Sequence, residues 1–180
     1  MQTKFFLLLL FWVPSLYAAD SKLARDGVEL FVSVRTVEQI RAFYGARGMP
    51  ADGLQELAKA CFLTVGLKNA RSETLWLEPL RWRLIDADGK SIKRITRQEW
   101  KARWEALRVP LAAQSTFGWS QLPESRDLYP EETVGGNISL LPPEGSFSLI
   151  ASFRTGSSGE GKVLELTIPN LSCLRLGANP

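Results

Sequence analysis

The chain has two cysteines, Cys61 in its middle and Cys173 near its end. A bond between them would tie the middle of the chain to its last segment, and whether it forms depends on the compartment. The N-terminus indicates which one. Lys4 precedes an apolar run over residues 5–13 that is too short to span a bilayer. Pro14 and Ser15 break the run, and Ala18 and Ala19 offer small residues for cleavage. Residues 1–19 therefore read as a secretory signal peptide, cut after Ala19 or Ala18, with an uncleaved anchor as the rival reading. No cysteine follows the run to carry a lipid. In an oxidising space such as a bacterial periplasm, an even cysteine pair is expected to be a disulfide. Cys61 lies on an apolar strand face, without the positive surroundings that activate a thiolate.

The chain alternates apolar and polar residues in short runs, the signature of half-buried strands. Cys61, Leu63, Val65 and Leu67 point one way; Phe62, Thr64, Gly66 and Lys68 point the other. Residues 27–35 alternate in the same way, with Val28, Leu30, Val32 and Val34 on one face. Further strands are expected over 74–77, 80–85, 91–95, 146–154 and 162–168, with Pro79 marking an edge or bulge. Two helical insertions interrupt them, near 36–59 and 96–108. Thr36 with Gln39, Asp52 with Gln55, and Thr96 with Glu99 are capping boxes that open helices. Residues 111–128 have weak periodicity and read as a long loop with one short strand at 116–120. Together these runs give one mainly β domain over 20–180, an antiparallel β-sandwich.

Composition narrows the chemistry. The 180 residues include no histidine, which removes Ser-His and Cys-His nucleophile pairs and most zinc and copper sites. A formal charge of +3 is too balanced to argue for nucleic acid. The acidic turn at Asp86-Ala87-Asp88-Gly89 lacks the further ligands and closing glutamate of a calcium loop and reads as a hairpin turn between 80–85 and 91–95. Gly156 to Lys162 fits G-x-x-x-x-G-K, but Val163 follows instead of Ser or Thr and strands flank it on both sides, so it reads as a hairpin tip. Nothing points to a metal or an organic cofactor, and no acidic pair or Ser-x-x-Lys supports an enzyme.

Residues 81–108 hold nine basic and four acidic residues. Trp100, Trp104 and Leu107 form one helical stripe within this region. Arg81, Arg83, Arg97, Trp100, Lys101, Trp104 and Arg108 are thus candidate partner-binding residues, because arginine interleaved with tryptophan suits anionic glycan, lipid head groups or an acidic protein face. The competing reading is a helix packed by its tryptophans with solvated charges outside.

One stretch carries a family resemblance. Tyr129-Pro130-Glu131-Glu132, running into Thr133-Val134-Gly135-Gly136-Asn137-Ile138, resembles a turn and strand of bacterial exported immunoglobulin-like domains. The resemblance implies an immunoglobulin-like sandwich with no known activity. In true immunoglobulin domains the cysteines bracket a tryptophan on strands B and F; here Trp82 follows Cys61 but Cys173 lies on the last strand. The glycine pair reads as a bulge or a close sheet contact. The expected function is that of a non-enzymatic periplasmic domain binding a protein or envelope partner, the alternative a glycan- or lipid-head-group-binding module using 81–108.

Overall fold

The computed structural model describes residues 20–173, so the leader expected at residues 1–19 lies outside the described residues. The first strands, β1 (Asp20–Arg25) and β2 (Val28–Arg35), form a hairpin. Asp26 and Gly27 close it with φ of 51° and 72°, the left-handed geometry a two-residue hairpin turn requires. Helices α1 (Val37–Gly45) and α2 (Ala51–Leu57) precede β3 (Cys61–Asn69). Strand β4 (Leu75–Leu77), a 3-10 turn at Pro79–Arg81 and β5 (Arg83–Asp86) follow, then β6 (Arg94–Ile95). Helices α3 (Arg97–Ala106) and α4 (Leu111–Trp119) lead to β7 (Arg126–Leu128), β8 (Thr133–Leu140), β9 (Ser146–Thr155) and β10 (Leu164–Ser172).

The strands form two antiparallel sheets that do not close into a barrel. The first runs β1-β2-β3-β8-β6; the second runs β10-β9-β4-β7, with β5 also paired to β9. The alternation seen in the sequence sets their contact. Val28, Leu30, Val32 and Val34 of β2 and Leu63, Val65 and Leu67 of β3 face Leu149, Ala151 and Phe153 of β9 and Leu164, Leu166 and Ile168 of β10 in one core. The disulfide between Cys61 and Cys173 joins the start of β3 to the residue after β10, across 5.7 Å between Cα atoms. It therefore staples one sheet to the other.

A second core lies on the opposite face of the first sheet. Phe62 and Ile95 meet Ile40 and Tyr44 of α1, Leu57 of α2, Trp100 and Trp104 of α3, and Ala113 and Phe117 of α4. The rings of Phe62 and Trp100 stack at 5.9 Å, and those of Trp100 and Trp104 at 4.8 Å. Ser139 of β8 accepts a 2.7 Å hydrogen bond from the Trp100 indole N–H. The molecule thus has three layers: helices, first sheet, second sheet.

The boxes at Thr36/Gln39 and Thr96/Glu99 cap α1 and α3 in the expected way. Several other expectations are corrected. Helix α2 starts at Ala51 behind Pro50, with no box at Asp52. The 111–128 loop contains a helix, α4, instead of a strand at 116–120; it buries only Ala113 and Phe117 and has no side-chain cap, so it left little periodic signal. The acidic turn at Asp86 forms, its carboxylate accepting from the N–H groups of Asp88 and Lys90. The hairpin after it does not persist. Ser91 bridges Ile85 once, and then the chain crosses to the first sheet as β6. The glycine pair makes no bulge, since β8 pairs with β3 in unbroken register. Gly136 is the close contact: a Cβ there would lie 2.4 Å from the Leu122 nitrogen.

Candidate functional site

The seven residues expected to form a binding surface do not come together as one. Arg81 and Arg83 belong to the outer face of the second sheet, where Glu78 and Glu165 pair with them at 3.2 Å each. Arg97, Lys101 and Arg108 belong to the helical layer, beyond both sheets. Trp100 and Trp104 are 1% and 2% exposed, so the tryptophan stripe is core. Lys101 is paired with Glu105 one turn away. Arg97 donates to the carbonyls of Gln121 and Leu122 at 3.0 and 3.3 Å. What remains is a groove of about 260 Å³ between α3 and α4, floored by the two tryptophans and edged by Arg97 and Lys101. The sequence pattern could not separate these faces, because strand β5 and helix α3 are close in the chain but belong to different layers, β5 to the second sheet and α3 to the helices on the first.

A larger cleft of about 540 Å³ lies on the first sheet's outer face, between α1 and the end of α4. Its floor is Arg35 of β2, Thr64 of β3 and Asn137 of β8, with Gly135 and Gly136 beside them. Its walls are Gln39, Ile40 and Phe43 on one side and Trp119 and Ser120 on the other. Trp119 is 90% exposed and Phe43 38% exposed, two large rings left in water at one opening. The Arg47 guanidinium lies 3.7 Å from the centre of the Phe43 ring.

A directed chain of hydrogen bonds holds the floor. Arg35 donates through Nε to the Thr64 hydroxyl at 2.8 Å, and Thr64 donates to Asn137 Oδ1 at 2.8 Å. Asn137 Nδ2 donates to the Tyr44 hydroxyl at 3.2 Å, which lies 2.7 Å from Ser120 Oγ. Ser120 donates in turn to the Phe117 carbonyl at 2.7 Å. The chain fixes Arg35 by its Nε alone. Among the described residues no carboxylate pairs with Arg35, and no Asp or Glu lines the cleft, so no acidic side chain there neutralises its guanidinium. Burial raises the Tyr44 hydroxyl above its ordinary pKa, outweighing its hydrogen bonds to Ser120, Asn137 and Gln121, so Tyr44 stays a neutral bridge.

Sequence reasoning did not single out Arg35, Thr64, Trp119 or Asn137. Arg35 and Thr64 stand at ordinary outward strand positions, and Trp119 sits in the stretch without period. Of the two neighbouring rings on α1, Tyr44 packs into the helical core while Phe43 lines the opening. Among the described residues no three of His, Cys, Asp and Glu cluster as a metal site, and no helix is long and apolar enough to cross a membrane.

The fold and cleft define a class, a disulfide-stapled β-sandwich with a helical layer and one open aromatic, cationic cleft. No family model and no curated protein matches the sequence. Among solved structures, the yjhA protein of Bacillus subtilis is similar at 12% identity, covering 73% of this chain and 76% of its own, with a TM-score of 0.45. The ycdA protein of Bacillus subtilis is similar at 12% identity and a TM-score of 0.46; the match spans 84% of this chain but 39% of that one. A conserved hypothetical protein of Bacillus anthracis, also 12% identical, covers 86% of this chain and 93% of its own with a TM-score of 0.33. The immunoglobulin-like resemblance gains no support from these comparisons. The sandwich stands on its own strand pairing.

Proposed function

We propose that this protein is an exported, periplasmic, non-enzymatic interaction domain that binds a protein or cell-envelope partner in the cleft between α1 and α4. The observation that carries the reading is that one cleft is lined both by an arginine without a carboxylate partner, Arg35, and by a tryptophan that is 90% exposed, Trp119. Arginine and tryptophan are the side chains that most often carry binding energy at protein interfaces. Export is supported by the leader and the disulfide. Two hydroxyls line the cleft, and both are spent on acceptors that cannot act as a base: Thr64 donates to an amide oxygen and Ser120 to a backbone carbonyl. The glycan or lipid reading built on 81–108 has no such support, since its charges are split between two faces and largely paired.

The test is a photo-crosslinking residue at position 39, an exposed position on the cleft wall, in cells expressing the exported chain. A discrete adduct that disappears in a folded Trp119→Ala variant, while a crosslinker on the second sheet's outer face at Thr167 gives none, is the expected result. Equal labelling from both positions, or no adduct from position 39, overturns the reading.

A further inference from the structure

The edge of the first sheet beside the cleft is unfinished. In β8 the odd-numbered residues turn their N–H and C=O groups away from β3, as their partners show. Leu141 donates to the Lys93 carbonyl at 3.0 Å, Ser139 pairs with Ile95 of β6, and Asn137 exchanges bonds with Ser120 and Leu122 at 2.8 and 2.9 Å. The β3–β8 register is regular, so Gly135 and Thr133 face outward in the same way. Both are exposed, and among the described residues no backbone group bonds to that edge of either. The segment Ser120–Leu122 pairs with β8 in parallel at Asn137, and N-terminal to Ser120 the chain turns back into α4. The place a continuing strand would occupy is the end of the cleft lined by Gly135 and Trp119.

Resting on the cleft reading above, we infer that the partner enters as an extended acidic peptide segment, which adds a strand to the Thr133–Gly135 edge of β8 and lays a carboxylate side chain across the sheet onto Arg35. Unpaired edge groups are a template for such addition. Gly135, on the cleft face, carries no side chain to block the route, and its cross-strand partner Gly66 lies beside the Phe31 side chain. Strands lie about 4.8 Å apart, so a strand outside β8 is about 10 Å from the β3 row that holds Arg35 by Thr64. Gly135 also lies two residues along β8 from the Asn137–Thr64 row, so the longer acidic side chain, glutamate, approaches the guanidinium better than aspartate. Charge selects the same partner. Arg35 has no carboxylate among the lining residues, so an acidic side chain completes its pairing and a basic one is repelled. Trp119 then covers the strand's outer side chains, supplying area that the two or so ladder bonds lack.

The test uses the exported chain and three pools of randomised nine-residue peptides with Glu, Gln or Lys fixed at the centre, read by fluorescence anisotropy. The Glu pool is expected to bind most tightly, by roughly tenfold over the Lys pool. In Arg35→Gln that preference is expected to vanish while Gln-pool binding stays. The strongest peptide is then made with backbone N-methyl groups on alternate residues, in the two possible phases. One phase removes the donors that face β8 and is expected to lose about tenfold or more; the other faces solvent and is tolerated. Hydrogen exchange of the Thr133 and Gly135 amides is expected to slow in the complex. Equal binding of the two N-methyl phases, unchanged exchange at Thr133 and Gly135, or no binding by any pool overturns the inference. If the pools fail while position 39 still gives a Trp119-dependent adduct in cells, strand addition is wrong and the cleft reading stands. If both experiments fail, both fall.

Discussion

Replacing both cysteines, Cys61→Ala with Cys173→Ala, tests what holds the two sheets in register. The bond spans 112 residues of sequence. Closing a loop of that length in the unfolded chain removes entropy equivalent to about 5 kcal/mol at room temperature. Measured effects often fall below this, because the unlinked denatured chain is not a random coil. Truncating Cys61, buried against Leu63 and Leu140 at the margin of the core, adds about 1 kcal/mol or less. The double variant should therefore lose about 3–5 kcal/mol, a large part of the 5–15 kcal/mol typical of a domain. The assay is urea unfolding of the oxidised protein, the reduced protein and the double variant. The last two should agree within about 1 kcal/mol, and both should show a steeper denaturant dependence than the oxidised protein, since the unlinked chain exposes more surface on unfolding. A loss below about 1 kcal/mol with unchanged slope would refute the argument: the link would then not be restricting the unfolded chain.

Other outcomes follow from single contacts. Trp100→Ala should cost about 3–5 kcal/mol in the same assay, because the ring is stacked between Phe62 and Trp104 and its N–H is bonded to Ser139; a near-neutral result would place the ring outside the core. Gly136→Ala should cost about 1–3 kcal/mol, since its Cβ would press on the Leu122 backbone, whereas Gly118→Ala, with open space around its Cβ inside α4, should be neutral or stabilising by up to about 1 kcal/mol; thermal melts of the pair decide it. The Glu99 carboxyl is lowered to about 2, first by Lys93 and then by the Thr96 N–H. A depressed acid stabilises the fold above its unfolded pKa and loses that contribution as pH falls, here between about 4.5 and about 2. Glu99→Gln should flatten the melting-temperature curve across that window and leave it unchanged in shape above it.

Much of the sandwich was legible in the sequence, and the reasons are local. Alternation in 28–35 and 61–69 follows directly from the two-residue period of a strand with one face in a core. The boxes at Thr36 and Thr96 work within four residues, so they survive any packing. The disulfide was readable because the leader expected from the sequence and an even cysteine count constrain it together. What failed to read was equally consistent. Helix α4 has two buried side chains in nine residues and no cap, so neither period nor boundary showed. Ile85 and Ser91 made a hairpin that continued for only one bridge, because Ile95 is needed in the helical core on the other sheet.

The sequence alone determined the half-buried strands, two of the helix starts, the cross-link and the absence of histidine chemistry, because each is set by residue type or by spacing over a few positions. Tertiary structure alone decided which face each cation occupies, that Trp100 and Trp104 are core, and that Arg35, Thr64, Asn137, Tyr44 and Ser120 meet in one hydrogen-bonded row. Those residues come from four separate elements and the residue that follows α4. Their meeting depends on the order of strands in a sheet and on helices folded over it, long-range pairings that no local pattern of side chains encodes.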